Sequence, residues 1–389
     1  MTTVYQRNPA VGPGAHVLAI GVGSYPHLIG GTPPVTNMPL GLGQLSSPPV
    51  STKAFIDWCV APLLNAANPG YSNPLCTLAT VEALISTKAP VTIQAPTGPV
   101  QLQNAIRANI DAAFAIWLER LKSDDANIGI LYFCGHGIMV ADHYLLAEDF
   151  GVNNLMPWDR AFDVSNTLRA VEREVNGTLF FFIDACRQMS KKVAMTAGAT
   201  PSSLMVVDLD KPVSRSSATL VRATGEGKLA FAAEGKVSRF TSALVTALSG
   251  YCGIKSTGSQ TWDVDGETLA AAVRKLLENG SKSNARKQVS DQHIGGTSVP
   301  LIRIGTPPLV KVAIDLLPEN LRALAKMFMA SAKGARFEHD GANGVFVKEV
   351  PRGIYDVGAK APAHEFVDLL LEGEEFIPPI YDLTMRTGP

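Results

Sequence analysis

Long apolar runs are missing from this chain of 389 residues. No uninterrupted stretch approaches the ~20 residues that span a bilayer, so no membrane partner is expected. Charge of one sign is missing too: 34 Lys and Arg stand against 35 Asp and Glu, a formal net charge of -1. That balance removes the electrostatic case for nucleic acid or an anionic membrane surface. The amino terminus, Met-Thr-Thr-Val-Tyr-Gln-Arg-Asn-Pro, has no basic-then-apolar leader, and the expected location is cytoplasmic. Cysteine is scarce. Cys59, Cys76, Cys134, Cys186 and Cys252 are scattered without paired spacing, which argues against a disulfide framework and for free thiols, one of them open to a reactive role.

What is present is apolar and ordered: 46% hydrophobic residues with only 18% charged. The length suits two or three domains and a sizeable core. Residues 1–14 read as a flexible polar tail, and 16–22 as a first strand. The stretch 30–50 is dense in Gly, Pro and Ser and reads as an extended loop. Ser51 is placed as the cap of a helix carrying Phe55, Ile56 and Trp58. Residues 75–85 read as a strand, with helix as the alternative. A helix beginning near Thr97 would present Leu102, Ile106, Ile110, Phe114, Trp117 and Leu121 on one face.

Further on, a helix is expected near 160–175, strands at 219–223 and 229–233, and a Ser238-capped helix running to Leu248. A helix over 267–277 and a last strand at 299–304 complete the series. Strand–helix alternation over 15–305 predicts an α/β domain with a mainly parallel central sheet. Gly305-Thr-Pro-Pro308 reads as a linker. Residues 309–389 then alternate like a small mostly β module, sandwich-like, with a short helix near 319–331. No internal repeat is visible.

Two strand-like runs end in chemistry. Ile128-Gly-Ile-Leu-Tyr-Phe133 breaks into Cys134-Gly-His136-Gly137, and Thr178-Leu-Phe-Phe-Phe-Ile183 breaks into Asp184-Ala-Cys186-Arg187. Short continuous apolar runs suit strands buried on both faces of a parallel sheet. Open α/β sheets carry their chemistry just beyond the carboxyl ends of such strands. A histidine and a cysteine delivered there together form a candidate base and nucleophile, His136 and Cys186. For either residue alone, a buried cysteine or an ordinary loop histidine is the better account; the pairing reverses that. Asp184 lies two residues before Cys186, so strand alternation points both side chains to one side. Its bland role is to cap a neighbouring turn.

Other signals fail. Cys134 with His136, His143 and Cys186 lacks a structural zinc spacing, so no metal is expected. Gly21-Val-Gly-Ser-Tyr-Pro26 places proline where a dinucleotide loop needs its third glycine, and Lys255-Ser256 has no preceding glycine to make a phosphate loop.

The segment Asp184-Ala-Cys186-Arg-Gln188, with His136 50 residues upstream, resembles the caspase-like cysteine peptidases. The caspase signature is Gln-Ala-Cys-[Arg/Gln/Gly]-Gly, with its histidine at about that distance. Asp184 and Gln188 depart from the caspase form, and an Asp two residues before the nucleophile looks like metacaspases and other basic-specific relatives. About three quarters of the chain is covered.

The resemblance implies a three-layer caspase-like fold over 15–305 and peptide cleavage by His136 and Cys186. It also implies an oxyanion held by the backbone N–H groups of Cys186 and Gly137, and a substrate Arg or Lys side chain drawn to Asp184. A second acidic residue is implied as well, with Asp149 and Glu234 as candidates. Residues 187–217 match the place where relatives are cut to activate them, with Lys191, Lys192 and Arg215 as the expected sites, either for the enzyme itself or for an upstream activating protease. The implied partners are therefore protein substrates with a basic residue at the cut. No cofactor is implied, although the resemblance admits calcium activation, on which these residues are silent. By analogy, such a regulated enzyme with an added domain would suit a bacterial immunity or cell-suicide effector. The competing readings are a non-catalytic interaction scaffold and a cysteine hydrolase of non-peptide amides.

Overall fold

Five strands run parallel through the first of two units, flanked by one antiparallel strand on each edge. The computed structural model describes every residue except 1, 9, 10, 33, 38, 39, 141, 190–200, 226–229, 231, 281–287, 364, 388 and 389. Unit one comprises Met1–Ser249 and Val264–Arg303; unit two comprises Gly250–Asp263 and Ile304–Pro389. The sheet of unit one has the order β1 (Thr2–Gln6), β3 (Thr77–Ser86), β2 (Gly14–Val22), β4 (Ile128–Gly135), β8 (Thr178–Ala185), β10 (Ser217–Arg222), β11 (Asp291–Gly296). Only the β1–β3 and β10–β11 pairings are antiparallel. A second, small sheet joins β9 (Gln188–Met189), β5 (Gly137–Met139), β6 (His143–Leu146) and β7 (Ala161–Asp163), in that order.

The central strands are buried along their whole length, as their unbroken apolar sequences require. Alternation divides β8 between two layers. Phe182 meets Phe55 of α1 (Ser47–Leu64) at 6.1 Å on one face, and Phe181 meets Trp117 of α2 (Arg107–Leu121) at 6.2 Å on the other. The α1 side also carries α4 (Arg239–Thr246), whose Thr241 hydroxyl bonds the buried Tyr132 hydroxyl at 2.5 Å. The α2 side shares its core with α3 (Val164–Glu174), through Leu168 and Val171. A further helix, α5 (Gly266–Gly280), closes this unit's helical set among the described residues. The result is a three-layer α/β domain.

Several expected boundaries move for identifiable reasons. The expected tail contains β1, because Glu82 is buried and accepts the Thr3 hydroxyl at 3.0 Å. Helix α1 starts earlier than Ser51, with Pro48 and Pro49 in its first turn, where their missing N–H groups cost nothing. Ser51 instead accepts the Ser238 N–H at 2.9 Å. Thr97 sits in a turn between strands Thr92–Ala95 and Gly98–Gln101; α2 begins at Arg107, whose N–H is capped by Asp149 at 2.8 Å. Ser238 caps α4 as expected, accepting the Thr241 N–H. Of the strand expected at 229–233, residues 229 and 231 lie outside the described residues, and 230, 232 and 233 are not extended in a sheet. The last strand of the main sheet is β11, not the segment 299–304.

Among the described residues, the core of unit two lies between two sheets. One pairs Leu309–Leu317 with Phe346–Pro351 and Ile380–Arg386; the other pairs Lys326–Ser331 with Arg336–Asp340 and Gly353–Lys360, and adds Leu369–Phe376. Val312, Ile314, Met327, Val357 and Phe376 meet between them, with Phe376 stacked on Tyr355 at 4.5 Å. The short helix is Glu319–Arg322.

Candidate active site

The carboxyl ends of β4 and β8 lie side by side in register, with Asp184 opposite Cys134 and Ala185 opposite Gly135. His136 and Cys186 are the next residue of each strand. Both line one cleft of about 1080 Å³, together with Gly137, Asp184, Ala230 and Glu234. Leu40, Leu42, Leu45, Pro48 and Pro49 supply an apolar wall. His136 and Cys186 are only partly buried, unlike the strand residues that precede them.

His136 is held at three points. Its N–H donates to the Tyr25 hydroxyl at 2.8 Å, and the two rings lie 4.8 Å apart. Its Nε2 lies 2.7 Å from the Gly43 carbonyl. A carbonyl can only accept, so Nε2 carries the proton and Nδ1 is left with a free lone pair. Burial lowers the His136 pKa to about 4, and the Gly43 carbonyl opposes that shift. Burial raises the Cys186 pKa, the Ala230 N–H on its sulfur at 3.3 Å pulls it back, and the Asp184 charge raises it again. Burial thus favours the neutral imidazole at His136 and the neutral thiol at Cys186.

Gly137 opens β5, where it pairs with Leu145. The Leu146 N–H donates to the His136 carbonyl at 3.1 Å, which makes Gly137–Leu145 a non-hydrogen-bonded pair. The Gly137 N–H therefore stays outside the ladder with β6. No side chain fits there: a Cβ would lie 2.6 Å from the Cys186 carbonyl oxygen and 2.9 Å from Ala185 Cβ.

Asp184 is buried yet belongs to the cleft wall. Its Oδ2 accepts the Ser238 hydroxyl, and the Thr241 hydroxyl at 2.6 Å, while the Cys134 thiol is also hydrogen-bonded to the carboxyl. Burial raises its pKa and these donors pull it down. The carboxylate thus supports the first turn of α4, and the residue also lines the cleft. Of the two candidates for a second acid, Glu234 lines the cleft. Asp149 caps α2 and pairs with Arg160 at 3.4 Å instead.

Lys191 and Lys192 lie outside the described residues. Arg215 is not in a loose loop: its Nε meets Glu172 at 2.8 Å, and the N–H groups of Ser214 and Arg215 donate to the Glu172 carbonyl. Nearby, Leu204 N–H donates to the Thr167 hydroxyl at 3.0 Å. Residues that the sequence reading gives no role at the site are Tyr25 and Gly43, which hold His136; His143, considered there only as a metal ligand, has its Nε2 3.1 Å from the Cys186 carbonyl. Among the described residues, no group of three or more His, Cys, Asp or Glu side chains could hold a metal ion. No described helix is long and apolar enough to cross a membrane.

Comparison with known proteins gives the geometry a context. The Peptidase_C14 family model, described as caspase domain, matches residues 94–299. A protein of Sinorhizobium fredii, described as uncharacterized protein y4kE, is 33% identical over 269 residues, which cover 66% of this chain and 75% of that protein. Caspase-1 from Spodoptera frugiperda aligns structurally at 13% identity with a TM-score of 0.38, covering 77% of this chain and 95% of that one. That last likeness is too loose to argue from.

Proposed function

The chain belongs to the caspase domain family, and we propose on that footing that it is a cysteine endopeptidase cutting protein substrates after Arg or Lys. The observation that carries this reading is the convergence of His136 and Cys186, from the ends of two adjacent parallel strands, on one cleft. His136 Nδ1 takes the thiol proton as Cys186 Sγ attacks the scissile carbonyl carbon. The carbonyl electron pair moves onto oxygen, which the N–H groups of Cys186 and Gly137 would stabilise. When the intermediate collapses, the C–N bond breaks and His136 returns the proton to the leaving amine. Water, activated by the same imidazole, then hydrolyses the thioester and restores the thiol.

Preference for a basic side chain is supported by the acidic residues of the cleft wall, Asp184 and Glu234. Asp184 is the stronger of the two because it is desolvated, and a carboxylate acts over a longer range where water is excluded. Regulation is supported by the geometry at the nucleophile, whose sulfur already accepts the Ala230 N–H at 3.3 Å. Self-cutting at Lys191 or Lys192 is the version that matches the proposed specificity. Arg215 would need its Glu172 pairing opened first.

One experiment tests these parts together. The full chain is incubated with fluorogenic Arg, Lys and Asp peptides, and its own fragments are followed by mass spectrometry. Wild type should turn over the Arg and Lys peptides, while Cys186→Ala and His136→Ala should be inactive and unfragmented. Asp184→Asn should lose about 2 kcal/mol or more of transition-state stabilisation on basic peptides, the order expected for a buried charge left unpaired. Turnover that survives Cys186→Ala but not Cys134→Ala would assign the wrong thiol. Cleavage after Asp would overturn the specificity.

A further inference from the structure

His143 opens β6 opposite Met139 of β5 and is only 1% exposed. Its Nε2 lies 3.1 Å from the carbonyl oxygen of Cys186. A carbonyl only accepts, so Nε2 must carry the hydrogen. The other ring nitrogen, Nδ1, is buried without a hydrogen-bond partner. An imidazole with one orphaned nitrogen is a costly way to fill a core position, and a leucine would spare that cost. What the side chain offers there is the hydrogen bond from Nε2.

We propose that His143 is a positioning residue for the nucleophile: it clamps the Cys186 carbonyl and thereby fixes the backbone that carries both the thiol and the Cys186 N–H. The inference rests on the reading of Cys186 as nucleophile. The packing supports it. A Cβ on Gly137 would lie 2.6 Å from His143 Nε2 and 2.6 Å from the Cys186 oxygen, so the imidazole, that carbonyl and the Gly137 backbone meet at one point. Gly137 and Cys186 are the two backbone donors proposed for the oxyanion. His143 is not among the described residues that line the cleft, so it ties together the ends of β4 and β8 without contact with the reacting atoms.

The surroundings keep the imidazole neutral. Arg187 and Arg222 stand near it and share Asp291, at 2.7 and 3.3 Å. Burial, then Arg222 and Arg187, together lower the His143 pKa to about 3, against the opposing pull of the Cys186 carbonyl. His143 is thus a fixed donor through the neutral range, not a proton shuttle or a pH switch.

The test compares His143→Leu, which has similar bulk and no donor, with His143→Gln, whose amide nitrogen can reach the same carbonyl. His143→Leu should lower kcat on the Arg peptide by about 100-fold, the scale of a misplaced reacting group. KM should stay within about threefold of wild type, because uniform substrate binding is untouched. His143→Gln should recover most of kcat. A purely structural role predicts the reverse order, since a buried leucine packs at least as well as a glutamine. Wild-type kcat in a folded His143→Leu variant, or a His143→Gln variant no faster than His143→Leu, would overturn the proposal.

Two spectroscopic readouts stand apart from turnover. In protein labelled with 15N-histidine, His143 should show the Nε2–H tautomer without titrating between pH 8 and 5. In protein labelled at the cysteine carbonyl carbon, with the Cys186 signal assigned from Cys186→Ala, His143→Leu should shift that signal and His143→Gln should restore it. An Nδ1–H tautomer, or an unmoved carbonyl signal, ends the proposal. If wild type cuts no peptide, the peptidase reading fails while these signals still judge the clamp. If His143→Leu does not fold, the wild-type tautomer and the kcat of His143→Gln decide.

Discussion

Gly137 shows how little room the site leaves. A methyl group there would overlap the Cys186 carbonyl, the His143 ring and Ala185 Cβ, all closer than 3.0 Å. The carbonyl is backbone and cannot rotate aside, so Gly137→Ala must push the ends of β4 and β8 apart. We expect it to lower kcat by about 100-fold or more, comparable to losing one oxyanion donor, while costing about 1–3 kcal/mol of stability as overpacking. Paired measurements of kcat and chemical unfolding check this, and unchanged turnover in the variant would show that the strand ends have slack. The same residue illustrates what sequence shows of a site. A glycine after the histidine is visible in the string; of the three groups crowding it, the Cys186 carbonyl and Ala185 come from 49 and 48 residues away, and His143, only 6 residues on, is turned back by the β5–β6 pairing. The partners of His136 are more distant still. Gly43 is 93 residues before it, in a stretch readable only as loop, and Tyr25 is 111 residues before it.

At the scale of elements, legibility followed burial. Strands β2, β4 and β8 are buried on both faces, and their unbroken apolar runs announce them. The edge strands do not announce themselves. β11 reads Asp-Gln-His-Ile-Gly-Gly and is half exposed, so it carries no apolar run. β1 reads Thr-Thr-Val-Tyr-Gln, and its order depends on a polar anchor. Glu82 on β3 is wholly buried; its carboxylate accepts the Thr3 hydroxyl at 3.0 Å and meets Arg120 of α2 at 2.5 Å. One side chain thus joins an edge strand, a central strand and a helix. Removing it strands a largely buried guanidinium. Glu82→Ala should cost about 3–5 kcal/mol, the usual result of breaking a buried pair from one side. Glu82→Gln, which keeps an acceptor for Thr3, should cost less. Urea unfolding of the two variants measures both, and equal costs would mean that charge, not the acceptor, does the anchoring.

Across the whole molecule, buried titratable groups tie stability to pH. Burial lowers His16 and His136 to about 4 and His143 to about 3, with nearby arginines adding to the effect on His16 and His143. A histidine whose folded pKa is depressed lets the unfolded chain bind a proton that the native chain refuses. The stability tied to these three rings is therefore fully present above the unfolded value of 6.5 and is lost as pH falls toward 4. Each ring contributes a slope of at most about 1.4 kcal/mol per pH unit across that window. Buried acids work the other way. Asp184, Glu148 and Asp163 are raised by burial, so protonating them on acidification relieves strain in the native state. Their protonation opposes the histidine loss, so the net fall below pH 6.5 should be shallower than three rings alone would give. Unfolding free energies from urea titrations at pH 8, 6.5, 5.5 and 5 test the sign. Stability should be level between 8 and 6.5 and fall below 6.5. His143→Gln removes one titrating ring but keeps a donor for the Cys186 carbonyl, so it should reduce the slope by up to a third without steepening it anywhere. A profile that rises as pH falls through 6 would mean that the acids, not the histidines, govern the molecule.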